Sequence, residues 1–257
     1  MNMITSRDNP QVKAWRRLAQ DTTAYRKAGQ FWLEGDHLCR AAVERGVRPL
    51  QVVLCASFYE EQGPRWAGLT DQLFVLPDAL FASLSGLESP ARMGFVVPLP
   101  VAKPLVPDAT TVVLDRLQDA GNVGAILRCA SAFGYRQVLA IKGTAALWSP
   151  KVLRAGMGAH FGLHLIESVS EADVAALQVP VLTTSSHEGP FLHELLQCSA
   201  LPQQCAWVFG HEGQGVSSQL MALSGQKVRI AQPGGEESLN VATAAAICLH
   251  ASATAAH

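Results

Sequence analysis

No apolar run in this 257-residue chain reaches about 18 residues without a charge or a turn former, the least a membrane-spanning helix needs. No transmembrane span is therefore expected. The opening stretch, Met1-Asn2-Met3-Ile4-Thr5-Ser6-Arg7-Asp8, lacks the apolar block of a signal peptide. Six cysteines, at 39, 55, 129, 198, 205 and 248, form no CxxC pair and no spacing suited to zinc. They read as buried thiols of a reduced, cytoplasmic protein with no metal site. A GxSxG elbow is missing, and His187, His193 and His250 have no patterned partner, which excludes a Ser-His-Asp hydrolase. The GxGxxG dinucleotide fingerprint is missing too. So are internal repeats and low-complexity tracts. Charged residues make up only 16%, and the net charge is −1, so the whole chain does not advertise nucleic-acid binding.

What remains is a chain with 49% hydrophobic residues, enough for a substantial core, and a length suited to one large domain or two small ones. The clearest boundary is Pro98-Leu99-Pro100-Val101-Ala102-Lys103-Pro104-Leu105-Val106-Pro107. Four prolines in ten residues form neither helix nor central strand, so this is an extended linker. Residues 1–98 then form a small α/β domain, 99–108 the linker, and 109–257 a second domain. In the first, Asn9-Pro10 is a helix start, and Val12, Trp15, Leu18 and Ala19 recur at helical spacing. Asp36 is the expected cap of a helix ending at Gly46. Strands are expected at 31–33, 50–55, 73–76 and 93–97, with a short helix at 78–84.

Beyond the linker, strands fit 111–114, 137–141, 179–183, 205–209 and 227–230. Helices fit 122–133, 150–157, 171–176, 216–223 and 239–251. Most of the strands are continuous apolar runs, as in a mostly parallel sheet covered by helices on both faces. Ligands of such sheets bind beyond the C-terminal ends of the strands. Three motifs fall there.

The first is Asn122-x-Gly124-x-x-x-Arg128, after Asp119-Ala120-Gly121. Read alone, it is either a plain strand–helix turn or a place where backbone approaches an anion. Arg128 alone is more often a surface ion-pair residue. The second is Gly210-His211-Glu212-Gly213-Gln214-Gly215, where three glycines in six residues imply a loop with exposed amides. Glu212 either binds a ligand or caps the next helix. His211, with no visible partner, reads as ordinary. The third is Ser238-Leu239-Asn240, opening an Ala-rich helix. Ser238 is the natural N-cap, which leaves Asn240 in the first turn, a place that its propensity does not favour.

Together these motifs resemble the SpoU/TrmH family of RNA ribose 2′-O-methyltransferases, in the SPOUT superfamily. The resemblance covers nearly the whole chain. It includes Ser149-Pro150-Lys151-Val152, the segment Arg154 to Phe161, and, near the N-terminus, Ser6-x-x-Asn9-Pro10-x-Val12-Lys13 with Phe31-x-x-Glu34-Gly35. The family commonly has Pro-Met after the third-motif Ile. Here Ala231-Gln232 stand there, with Pro233 one place later, which leaves the path of that loop open.

The resemblance implies a deep trefoil knot in the second domain, S-adenosylmethionine as cofactor, a homodimer, and an active site near the subunit interface. By position it implies catalytic roles for Arg128, Asn122, Glu212, Ser238 and Asn240, with Asn122, Ser238 and Asn240 orienting Arg128 and the ribose, and Glu212 holding the second-motif loop and partnering Arg128. Thr184, Gly210, Ile230 and Leu239 would line the cofactor pocket. Arg128 is sometimes described as the family's general base, but a guanidinium is effectively always charged and suits better a clamp on phosphate and developing alkoxide. The first domain would bind RNA. Up to Arg48 it has nine basic residues against five acidic ones, and Arg7, Lys13, Arg16, Arg17, Arg26 and Lys27 are the candidate contacts. Charge alone fits a solvated helical face as well. The substrate class is RNA, ribosomal RNA ahead of tRNA, because a separate domain suits recognition of folded RNA. The alternatives are a tRNA enzyme and an RNA-binding member without activity.

Overall fold

The computed structural model describes residues 1–86, 89–235 and 238–255. The chain forms two compact units. One comprises Met1–Val101 with Trp148–Phe161, the other Ala102–Leu147 with Gly162–His257. The linear division at 99–108 follows the chain. The packing adds to the first unit a segment from well past the linker.

The first unit runs β1 (Asn2–Met3), α1 (Pro10–Gln20), α2 (Ala24–Ala28), β2 (Gln30–Glu34), α3 (Asp36–Glu44), β3 (Gln51–Cys55), α4 (Ala56–Trp66), β4 (Leu73–Leu76), α5 (Asp78–Ala82) and β5 (Met93–Pro98). Its mixed sheet has the order β1-β4-β3-β5-β2. Asn9 caps α1 through its side chain, with Pro10 in the first turn, as the sequence predicts. Val12, Trp15, Leu18 and Ala19 form the buried face of α1. Asp36 corrects its expectation. Gly35, at φ 98°, is the N-cap of α3, and Asp36 is the first helical residue. Its carboxylate pairs with Arg40 one turn on. A side chain at Gly35 would be strained at that φ, so the cap here is backbone alone.

The second unit runs β6 (Thr111–Asp115), α6 (Ala120–Ala132) and β7 (Gln137–Ile141). The segment α7 (Pro150–Gly156) and a 3-10 turn (Ala159–Gly162) follow in sequence, α7 packing on β2 of the first unit. The second unit resumes with β8 (His164–Val169), α8 (Glu171–Ala175), β9 (Val181–Thr184), α9 (Leu192–Gln197), β10 (Ala206–Gly210), α10 (Ser218–Leu223), β11 (Gln226–Val228) and α11 (Val241–Ala255). Every neighbouring pair is parallel, in the order β11-β9-β10-β6-β7-β8.

Side chains alternate across this sheet. Val113, Leu139, Val181 and Val208 pack with Val174 of α8 and Leu220 of α10. The opposite face carries Trp207, whose indole N–H donates to Ser252 of α11 at 2.8 Å, and α11 packs along α6. Among the described residues no helix is long and apolar enough to cross a membrane.

Candidate active site at the C-terminal edge of the parallel sheet

Four strands that lie side by side, β11, β9, β10 and β6, end at one edge. Their register sets Gly210 beside Asp115 and Val228 beside Thr184. The loops after these strands hold all three motifs, so residues up to 118 positions apart meet there.

The loop after β6 is anchored from beneath. Asp115 is fully buried. One of its oxygens accepts from the Arg116 Nε at 2.8 Å, and the other from the Ser217 amide at 2.6 Å, at the start of α10. Arg116 itself sits at φ 60°, a left-handed conformation uncommon outside glycine. Its amide donates to the Thr144 hydroxyl at 3.1 Å. Asp119 then caps α6, accepting from the Asn122 amide at 2.7 Å.

A directional chain of hydrogen bonds crosses the site. Glu212 accepts from the backbone amides of Gln118 (3.2 Å) and Asp119 (3.1 Å) and from Asn122 Nδ2 (3.2 Å). Asn122 Oδ1 accepts from Asn240 Nδ2 at 3.0 Å. Asn240 Oδ1 accepts from the amides of Ala242 and Thr243 at 2.9 and 3.2 Å. A carboxylate at one end only accepts and backbone amides at the other only donate. Both asparagine orientations are thereby fixed. Partial burial pushes the Glu212 carboxyl up, but hydrogen bonds from the backbone amides of Glu212 itself, Gln118 and Asp119 and from Asn122 outweigh it and hold it below the ordinary carboxylate range.

Three expectations change. Asn240, not Ser238, is the cap of α11: its side chain takes the first amides, and its carbonyl accepts from Ala244 at 2.9 Å. The propensity argument failed because a cap is where asparagine is favoured. Ser238 is exposed and makes no hydrogen bond with any described residue. Glu212 does not partner Arg128, because its oxygens are taken by the loop after β6. Arg128 is exposed on α6, and its side chain makes no hydrogen bond or ion pair with any described residue. Six residues along a helix turn about 240°, so Arg128 stands about 120° round α6 from Asn122. None of Asn122, Ser238 or Asn240 orients it here.

The cofactor candidates share the same edge. Gly210 leaves no room for a side chain, since a Cβ there would lie 2.1 Å from the backbone of Gly215 and Val216. Thr184 Oγ1 donates to the Val208 carbonyl at 3.4 Å. Ile230 is half-buried and Leu239 exposed. The Ala231-Gln232 departure resolves into a turn: the Gly235 amide donates to the Gln232 carbonyl at 3.2 Å, with Pro233 inside the turn. The Gln232 side-chain oxygen is buried without a hydrogen-bond partner among the described residues. Asp115, Arg116, Gln118 and Ser217 are residues of the site to which the sequence reading assigned no role, and Asp119 entered it only as the start of the first motif. Asp115 was visible in principle, as an acidic residue closing an apolar strand.

The SpoU rRNA Methylase family profile matches residues 109–250, and an MRM3-like substrate binding domain matches residues 9–93. The chain belongs to the SpoU rRNA methylase family. Within that family it is 29% identical to the 23S rRNA (guanosine(2553)-2'-O)-methyltransferase RlmP of Bacillus subtilis, over 97% of this chain and 98% of that protein. It is 32% identical to an uncharacterized tRNA/rRNA methyltransferase of Synechocystis, over 96% and 92%. A crystal structure of an RNA 2'-O ribose methyltransferase superposes with a TM-score of 0.81 at 28% identity, covering 99% of both chains. The SpoU methyltransferase AviRb from Streptomyces viridochromogenes, in complex with AdoMet, shares the fold at a TM-score of 0.82 and 23% identity, over 96% and 97%.

Proposed function

We propose that this protein methylates a ribose 2′-hydroxyl of ribosomal RNA with S-adenosylmethionine as donor. One observation carries the reading: the chain Asn240–Asn122–Glu212 binds all three motif loops together at the edge where an α/β sheet takes its ligand. Family membership and rRNA-modifying relatives matched over nearly their whole length support it.

The residues at the edge suit the cofactor. Thr184 and Gly210 end the adjacent strands β9 and β10, Ile230 follows β11, Leu239 precedes the capping Asn240, and the absent side chain at Gly210 lets its backbone pack against Gly215 and Val216, which sets the shape of that loop. The buried Gln232 oxygen, without a hydrogen-bond partner among the described residues, adds an acceptor. When bound there, S-adenosylmethionine supplies a methyl group already activated by its positive sulfur. The protein's task is then to hold the hydroxyl in line and favour loss of its proton. Alignment of this kind is worth about 7–11 kcal/mol of barrier. A charged Arg128 does this as a fork on phosphate and developing alkoxide, with proton removal through the phosphate or water.

We further assign the knot to the second unit and the homodimer to the native state. Arg128, exposed and held by no described residue, is available to RNA or to a second copy. The first unit is the RNA-binding part. Lys13, Arg16 and Arg17 line an open groove of 480 Å³ with Gln20 and Asp21, and Arg7, Arg26 and Lys27 lie on the same unit. Six unbridged cysteines support a reducing compartment, the cytoplasm.

Ribose-methylation mapping of total RNA, with and without this protein, tests the proposal. The expected result is one 2′-O-methyl mark lost from ribosomal RNA. Loss of a tRNA mark alone overturns the substrate, and no change in any RNA overturns the activity.

A further inference from the structure

His211 lies between Gly210 and Glu212, and its Nδ1 accepts hydrogen bonds from two backbone amides, Gly213 at 3.0 Å and Gln214 at 3.3 Å. Two amide donors aimed at one ring nitrogen require that nitrogen to carry a lone pair. The neutral ring therefore holds its proton on Nε2. A general-base role for Nδ1 is excluded, because its lone pair is already engaged.

The same contacts fold the loop back on itself. The Gly215 amide donates to the His211 carbonyl at 2.8 Å, and Gly215 sits at φ 69°. The close approach of Gly210 to Gly215 and Val216 closes the base of this loop. Glu212 is thus carried on a turn whose outer amides are held by the imidazole. From that turn it reaches the Gln118 and Asp119 amides and Asn122.

We infer that His211 is a positioning residue for methyl transfer: its Nδ1 staples the second-motif loop and so sets the Glu212 carboxylate that holds Asn122 and Asn240. This rests on the site reading given above. A serine, asparagine or aspartate side chain can accept amides two and three residues on in the same way, so the role requires an acceptor at this distance rather than a titrating group. His211→Asn keeps such an acceptor. His211→Ala and His211→Phe do not, and the second keeps an aromatic ring.

The test compares these variants in steady-state methylation of ribosomal RNA from cells lacking the protein, with Glu212→Gln in parallel. Loss of two amide bonds is expected to lower kcat about 10- to 30-fold in His211→Ala and His211→Phe, with KM for RNA within about threefold and His211→Asn restoring most of the rate. Because His211 acts through Glu212, His211→Ala added to Glu212→Gln is expected to slow it no further than about twofold. Wild-type kcat in His211→Ala, or two effects that multiply in full, overturns the inference while leaving the site reading intact. A wild-type rate in Glu212→Gln overturns both. Independently of folding in any variant, ¹⁵N NMR of the wild-type imidazole is expected to show an unprotonated Nδ1 and a protonated Nε2. The opposite tautomer overturns the staple.

Discussion

Asn240 performs two tasks with one side chain, and the two are separable. Its oxygen caps α11 and its nitrogen holds Asn122. Asn240→Ala removes both and is expected to cost about 1 kcal/mol of stability through the cap alone. Asn240→Asp keeps an acceptor for the cap and suits a helix N-terminus, but it has no donor for Asn122 Oδ1. We expect near-native thermal stability in Asn240→Asp with methyl transfer reduced at least as far as in Asn240→Ala. Normal transfer by Asn240→Asp would show that the link to Asn122 is dispensable. Arg128 stands apart from this chain, so its substitution should separate differently. Arg128→Ala is expected to cost about 10²–10³ in rate, the usual loss for one transition-state donor, with S-adenosylhomocysteine affinity by calorimetry within a few fold. Arg128→Lys should not rescue it, since an ammonium lacks the planar fork. Near-normal turnover by Arg128→Lys would sink the clamp.

At the scale of elements, the instructive one is α7. Its sequence follows β7 of the second unit, yet it packs on β2 of the first, where Arg154 lies 3.7 Å from Glu34. The Glu34 side chain is almost wholly buried, and neither oxygen has a hydrogen-bond partner among the described residues. A buried carboxylate with one ionic neighbour depends on that neighbour. Arg154→Met is expected to destabilise the protein by about 2–4 kcal/mol in urea unfolding, below the upper range for such pairs because Arg154 is partly exposed. Adding Glu34→Leu should recover most of that loss. If the double variant is no better than the single, the charge is not what Arg154 serves. Pattern reading found α7 from Pro150, which is its first helical residue, and the structure adds Ser149 as its cap. Its packing partner was invisible, because nothing in the segment records which sheet it meets. The missed elements fail for similar reasons. β8 is an edge strand with polar residues and a bulge opposite Ala140 and Ile141, so it shows no apolar run. α4 carries Gly63 and Pro64 in its last turn, both of which read as breakers. The site was legible as motifs, but Glu212's grip on the β6 loop and His211's on its own turn depend on backbone amides, which every sequence contains.

For the molecule as a whole, the division of labour between the units is best tested without cutting it. A fragment beginning after the linker would retain Trp148–Phe161 but lose the sheet they pack on, including the contact of Trp148 with Phe31 at 4.8 Å between ring centroids. Weak RNA binding by such a fragment would then report exposed apolar surface as readily as lost contacts. Charge reversal on α1 avoids this. Lys13 and Arg17 flank the groove and are largely solvent-exposed, their only ion pairs among the described residues being surface contacts with Asp8 at 3.0 Å and Asp21 at 3.9 Å. Pairs of that kind contribute about 0–1 kcal/mol, so Lys13→Glu with Arg17→Glu should leave the unfolding midpoint nearly unchanged. Arg16 is left alone because it also donates to the Ser83 carbonyl and hydroxyl. If this groove tracks an RNA backbone, each lost phosphate contact lowers the slope of log affinity against log salt by about 0.7–0.9. The double variant should therefore bind ribosomal RNA more weakly and with a slope shallower by about 1.5, while S-adenosylhomocysteine affinity is unchanged. An unaltered salt slope in a folded double variant would remove α1 from the RNA-binding surface and leave Arg7, Arg26 and Lys27 to account for it.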